Sequence, residues 1–306
     1  MCGNYWMSWK KDRDLDMKCI ICGSGKFSIV SDGVRDSVNH KVARCNSCFL
    51  VQLSPVPSLK EEKYFYDKDK QAGSLHKVFD IDGIKKNAKA DTTRRADLVA
   101  GLVDKKSSIA DIGSGYGFFI NEMRRRGFNA TGLEGSEERV SISRDLTPAK
   151  VIHLNLYSDY SDIGVFDCLV LFQVLEHMRE PVKILKTLKK HLKPGAKLVI
   201  EVPNFNDHML KTNKAYRNFY WQKAHVSYFN SCVLAKVLRK AGFQKYTIQF
   251  EQRYGIENFM HWVVEKKPQI RHPSFSSHSY EWLEEFYKRH LRSCGRSDTL
   301  IAVTSR

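Results

Sequence analysis

Downstream of Ser107 the chain repeats one pattern: a short apolar run, a polar or glycine-rich turn, then a stretch with apolar residues on one helical face. Ser108-Ile109-Ala110-Asp111-Ile112 predicts a buried strand, and Phe118 to Arg126 predicts the helix behind it. Asn129-Ala130-Thr131-Gly132-Leu133-Glu134 predicts a second strand. Phe166 to Val174 is apolar except for Asp167 and Gln173, and has the length of a strand rather than of a membrane span. In the helix that follows, Ile184, Leu185, Leu188 and Leu192 take the buried face, while Lys183, Lys186, Lys189, Lys190, Lys193 and Lys197 surround it and its exit. A fifth strand ends at Val202-Pro203-Asn204, the next clear helix starts near Ser231, and Gly295 to Val303 fits a closing hairpin strand. Strands alternating with helices predict an α/β fold with helices on both faces of the sheet.

The first 60 residues follow another rule. Cys19-Ile20-Ile21-Cys22 and Cys45-Asn46-Ser47-Cys48 are two C-x-x-C pairs, with a hairpin between them (Phe27 to Val30, then Lys41 to Arg44) turning near Asp32-Gly33. Each pair lets two thiolates reach one ion from a tight turn, and four thiolates close a tetrahedral zinc site. So short a segment buries too little apolar surface to fold alone, which gives a metal clip a structural task. Cys19, Cys22, Cys45 and Cys48 are therefore the expected ligands of a structural Zn2+, in a module resembling a zinc ribbon. Cys168, in an apparent core strand, reads as a small buried hydrophobe.

Composition narrows the class. The 306 residues are 42% hydrophobic and 11% aromatic, values of a globular chain. Met1 to Lys10 lacks a basic start followed by an apolar stretch, so the expected location is the cytoplasm, with no membrane span. Fifty Lys and Arg against 34 Asp and Glu give a net charge of +16, which favours anionic partners. The lysines are spread over helix surfaces, and no Gly/Arg-rich tail or long basic run marks a nucleic-acid arm.

The chemistry lies at the first strand-to-helix turn, Gly113-Ser114-Gly115-Tyr116-Gly117. Glycines permit a tight turn and let a ligand lie against bare backbone. Glu134 ends the second strand about 20 residues on, the spacing of an acid that grips ribose hydroxyls. Phe118 stands where a dinucleotide fingerprint has its third glycine, and Asp111 is poorly placed beside a pyrophosphate but well placed for a cation. With Asp111 to Gly117, Glu134, the run Phe166 to His177 ending in Leu175-Glu176-His177, and Leu192-Lys193-Pro194-Gly195 to Ile200, the chain resembles the class I methyltransferases that use S-adenosylmethionine.

That resemblance, over about residues 90 to 250, implies a Rossmann-like seven-stranded sheet. It implies that Gly113, Gly115 and Gly117 frame the methionine and ribose, Asp111 orients the amino end and Glu134 holds the ribose. Asn155 falls where the family usually has an aspartate near the adenine, and Phe172 and Gln173 would line the methyl-donor pocket. Core packing is the plain alternative for Phe172.

Between the fifth strand and Ser231 lie His208, Tyr216, Phe219, Tyr220, Trp221, His225, Tyr228 and Phe229, a lid over the acceptor. His225 is the candidate base, Tyr220 a catalytic-pocket residue, and His177 a pocket wall near a helix start. The cysteine pairs, Pro55-Val56-Pro57 and the tyrosines Tyr64 and Tyr66 resemble methyltransferases acting on nucleotide-linked sugars or surface polysaccharides. Their carbon-methylating members carry Glu-His where this chain has Ala224-His225, which favours oxygen. The expected division is a zinc module at 1–60, a helical connector at 61–106 and a catalytic domain at 107–306 with an insertion at about 252–292, containing Pro268 and Pro273. The expected partner is an anionic small-molecule or sugar acceptor. The alternatives are an RNA base methyltransferase, with nucleic acid held by the zinc module and basic surface, and a non-catalytic scaffold.

Overall fold

The computed structural model describes residues 17–58, 61, 80–155, 157, 160, 163–269 and 280–306. Tyr64, Tyr66 and Pro273 lie outside them.

After an N-terminal hairpin region comes helix α1 (Ile81–Ala100), opened by Asp80, whose carboxylate accepts from Gly83 N. Strand β4 (Ser108–Ile112) then leads into α2 (Phe118–Arg125), β5 (Asn129–Glu134) into α3 (Glu137–Leu146), and β6 (Lys150–His153) follows. The chain crosses back to β7 (Phe166–Phe172), α4 (Pro181–Lys190) and the long β8 (Leu192–Pro203). Strands β10 (Tyr246–Glu251) and β11 (Thr299–Ser305) complete a seven-stranded sheet ordered β6-β5-β4-β7-β8-β11-β10. Strands β4 to β8 run parallel, and β11 is antiparallel to both its neighbours. The order reverses between β4 and β7, and ligands of open α/β sheets sit beyond the carboxyl ends at such a reversal. Glu134, Phe172 and Pro203 all end strands there.

Two stretches depart from the sequence reading. Leu175–His177 forms one turn of 3-10 helix instead of opening an α-helix, because α4 starts at Pro181, whose fixed φ and missing N–H suit a first helical position. The segment before Ser231 is more ordered than a lid of aromatics predicts. It contains α5 (His208–Thr212), α6 (Lys214–Tyr220) and β9 (Ser227–Tyr228), before α7 (Ser231–Lys240). Five and seven residues are too few to display helical periodicity, so these helices show only in their caps. Asp207 accepts from Met209 N at 2.9 Å and Asn213 from Tyr216 N at 3.0 Å. The stretch between β10 and β11 carries α8 (Ile256–Glu265) and α9 (Glu281–Ser293).

The second sheet joins β1 (Phe27–Ser31), β2 (Lys41–Cys45) and β3 (Val51–Ser54) to β9, all antiparallel. Val51 pairs with Tyr228 and Gln52 with Ser227, so the sheet of the cysteine module ends in a strand from the acceptor-side segment. The cores merge as well. Cys19, Phe27, Cys45 and Leu50 share one buried cluster with Phe229, Val233, Leu234, Leu171 and Ile200.

Phe229 is fully buried where these parts meet. We expect Phe229→Ala to lower the unfolding free energy by about 3–5 kcal/mol in a denaturant titration. A loss below about 1 kcal/mol would mean that the junction is not a packed core.

Candidate functional site

Three glycines build the turn after β4. Gly113, Gly115 and Gly117 have φ of 74°, 56° and 76°, all in the left-handed region. Gly113 N and Ser114 N both donate to Leu133 O, at 2.7 and 3.1 Å, which ties the turn to β5. A Cβ on Gly113 would stand 2.7 Å from Val174 Cγ2, and one on Gly117 2.3 Å from Ser143 Oγ, whereas a Cβ on Gly115 would meet nothing within 4 Å. The turn is thus packed at both ends and open in the middle. Beside the opening, Glu134 is anchored: its carboxylate accepts from Gly115 N at 2.7 Å and from Ser136 N at 2.9 Å. Two such bonds leave lone pairs for ribose hydroxyls.

Asp111 is buried below the turn. Burial pushes its carboxyl up to about 8, against the pull of Arg95 and with a further push from Glu134. A cationic amino group would supply the missing partner. The open face at Gly115, the held carboxylate and the unpaid acid suit S-adenosylmethionine. Asn155 is exposed in the loop after β6, where its side-chain oxygen accepts from Tyr157 N at 2.9 Å.

Beyond β7 lies a charged network that the sequence reading missed. Glu201, at the end of β8, is fully buried and accepts from Arg94 Nη2 at 2.7 Å and Arg95 Nε at 3.1 Å. Gln173 Nε2 donates to the same carboxylate at 3.2 Å, and Gln173 N donates to Glu201 O. Asp91 takes Arg253 Nε at 2.9 Å and Arg94 Nη2 at 3.0 Å. Burial pushes the Glu201 carboxyl up, and Arg95 and Arg253 more than reverse this, holding it at about 2. Phe172 is buried, meets Phe119 edge-on at 5.0 Å between centroids and lies 4.9 Å under the Arg95 guanidinium. It therefore belongs to the core and carries Arg95. The sequence signal for Glu201 was a lone acid inside the apolar strand Leu198 to Val202.

On the acceptor side, Val174 packs on Gly113 and the chain turns at once into Glu176 and His177. Here one possible ligand atom each from Glu176, His177 and His225 lie within 4.8 Å of one another. The rings of His177 and His225 meet edge-on at 5.0 Å. His177 Nδ1 lies 2.7 Å from Ala224 O, and burial pulls this imidazole down to about 4. Burial also pushes Glu176 up to about 8 and the Tyr220 phenol well above its ordinary value. Both Glu176 oxygens, Tyr220 Oη and His225 Nδ1 are buried with no hydrogen-bond partner among the described residues. Such atoms are costly unless a ligand satisfies them.

The four cysteines converge. Their sulfurs lie within 4.8 Å of one another, with Cys19 Sγ to Cys48 Sγ at 3.4 Å and Cys22 Sγ to Cys45 Sγ at 3.5 Å. Thiolates about 2.3 Å from one zinc ion would stand a little under 4 Å apart, so the set fits a tetrahedral metal. The two turns are copies: Gly23 N donates to Cys19 O and Phe49 N to Cys45 O, with φ of 75° and 72° at Gly23 and Phe49.

A neutral buried Glu176 leaves a signature in stability. The unfolded carboxyl ionises near about 4 and the folded one near 8, so between these values the folded state holds a proton that the unfolded chain has released. Its contribution to stability therefore falls as pH rises through that window, by about 1.4 kcal/mol per unit. Glu176→Gln removes this, so the variant gains on the wild type between pH 5 and pH 8 in paired denaturant titrations. Parallel pH profiles would contradict a neutral acid.

The comparisons with known proteins agree with the geometry. The family described as "Methyltransferase domain" matches residues 84–248, more than half of the chain. A ubiquinone biosynthesis O-methyltransferase of Xanthomonas oryzae pv. oryzae is 27% identical over 147 residues, 44% of this chain and 60% of that protein. The chain thus spans less than two thirds of that relative's length. In fold, it is similar to an S-adenosylmethionine-dependent methyltransferase from Archaeoglobus fulgidus at TM-score 0.50 and 18% identity, over 72% of this chain and 94% of that one. It is similar also to the plantazolicin methyltransferase BpumL in complex with S-adenosylhomocysteine, at TM-score 0.50 and 19% identity, over 80% and 93% of the two chains. With the family match, the strand order and the glycine turn pointing the same way, the chain belongs to the class I S-adenosylmethionine-dependent methyltransferases.

Proposed function

We propose that this protein moves the methyl group of S-adenosylmethionine to an oxygen of a small-molecule acceptor, with a sugar hydroxyl as one candidate. The observation that carries this reading is the set of unpartnered polar atoms on Glu176, Tyr220 and His225, next to the residue that packs on the glycine turn. They are buried, so they serve a group small enough to enter. The Xanthomonas relative bears the name of an O-methyltransferase, which supports oxygen.

In this reading Glu134 holds the ribose, the face of Gly115 receives the cofactor, and Asp111 meets its amino group. The cofactor supplies an activated methyl, so the protein's contribution is alignment of the acceptor oxygen and removal of water. Tyr220, His177 and Glu176 surround that oxygen, and His225 faces it. The four cysteines hold a structural zinc ion, since four thiolates leave no coordination position for substrate.

Calorimetric titration with S-adenosylhomocysteine should give micromolar binding, weakened at least tenfold in Glu134→Ala. Radiolabelled S-adenosylmethionine should then label phenols or sugars from a small-molecule panel and leave bulk RNA unlabelled. Labelled RNA would favour the nucleic-acid reading. Failure of the folded wild type to bind S-adenosylhomocysteine would overturn the enzymatic one.

A further inference from the structure

The two ring nitrogens of His225 have unlike surroundings. Nε2 lies 2.8 Å from the side-chain nitrogen of Gln222, while Nδ1 is buried without a partner among the described residues. The Gln222 amide is gripped from its other end by Arg35, whose Nη2 donates to Gln222 Oε1 at 2.5 Å. A guanidinium has donors only, so the amide atom that faces it is the carbonyl oxygen and the NH2 is turned towards His225. That NH2 also only donates. His225 Nε2 must therefore accept, and in the neutral ring the proton is left on Nδ1.

The grip is well fixed. Arg35 Nη1 donates to Phe219 O at 3.1 Å, the guanidinium lies 3.9 Å over the Phe219 ring, and Arg35 N donates to Trp221 O at 3.0 Å. The backbone of Gln222 is clasped by Tyr228: Gln222 N donates to Tyr228 Oη at 3.1 Å, and that hydroxyl donates to Gln222 O at 3.2 Å. Lys223 N donates to Asp36, next to Arg35, at 2.7 Å. Arg35 and Asp36 lie between β1 and β2, so the loop of the cysteine module holds one face of the histidine's support.

We propose that Arg35 and Gln222 are positioning residues that lock His225 as its Nδ1–H tautomer, so that His225 meets the methyl acceptor as a hydrogen-bond donor and not as the general base. A base would need its lone pair at Nδ1, the ring nitrogen that is buried with its hydrogen bond unmet. The oxygen that reaches Nδ1–H therefore presents a lone pair, as a phenolate or carboxylate that enters already ionised does, so no proton has to leave it during transfer. A sugar hydroxyl in that place would need another group to take its proton. The role of the N–H rests on the proposed function; the tautomer does not. Burial, His177 and Arg35 keep the ring neutral, which is the state the argument requires.

The test is long-range 1H–15N correlation NMR on full-length protein with 15N-labelled histidine, the His225 signals being assigned by their loss in His225→Gln. The wild type should show a protonated, pyrrole-type Nδ1 and an unprotonated, pyridine-type Nε2. Gln222→Glu is isosteric and accepts from both Arg35 and the ring, so the two assignments should exchange. Arg35→Met, which frees the amide, should give a mixture, and Arg35→Lys should restore the wild-type pattern. In methyl-transfer assays Gln222→Glu should lower kcat at least tenfold with S-adenosylhomocysteine affinity unchanged. A wild type protonated at Nε2 overturns the proposal, and needs no variant to fold. A wild-type pattern as described in a protein that transfers no methyl group would sink the proposed function and leave the tautomer standing.

Discussion

The pairing of β9 with β3 is the constraint on which the acceptor side depends. Two residues of strand are little by themselves, and they hold because the surroundings bury them. Leu53 N donates to Val226 O at 3.0 Å, extending the ladder by one bond. Beneath it, Val42, Val51 and Leu53 of the cysteine module pack with Phe205, Leu210, Tyr220, Trp221 and Tyr228. The lysines of α7 close the contact from behind: Lys236 donates to Cys48 O and Lys240 to Ile21 O, each at 3.0 Å. The turns that bring the cysteines together thus also receive α7. A segment that would otherwise be a surface loop gains a floor and a partner for its backbone, which is how side chains such as His225 and Tyr220 are held in place.

Beside this junction the molecule treats buried carboxylates in two ways. Glu201 and Asp91 are charged, because Arg94, Arg95 and Arg253 surround them with matched donors. Removing one partner of such a set strands a charge, which makes the network a clamp between α1, the ends of β7 and β8 and the loop after β10. Asp111 and Glu176 have no such partner and are held in the neutral form by burial. The first pair fixes the frame, and the second pair leaves unmet polarity where a cofactor and an acceptor are expected.

Much of this was legible in the sequence, for physical reasons. The glycine turn announced itself because Gly113 and Gly117 leave no room for a side chain and need a left-handed backbone. The strands announced themselves because parallel strands are apolar on both faces. The cysteine pairs were readable because metal geometry dictates their spacing. What stayed hidden depends on distance in space. Arg94 and Arg95 lie more than a hundred residues from Glu201, and Arg35 is nearly two hundred from Gln222. No local pattern marks such pairs. Helices α5 and α6 are too short for a periodicity, and β9 is a strand only because β3 is there to pair with it.

The measurement that tests the account most directly is hydrogen exchange on the wild type and on Cys45→Ser, followed peptide by peptide. If the cysteine module is the floor of the acceptor site, the variant loses amide protection in 219–230 together with 41–54, while β4 and the glycine turn keep theirs. Loss confined to 41–54, with 226–229 as protected as in the wild type, would show that the acceptor segment stands without the module and would contradict the account.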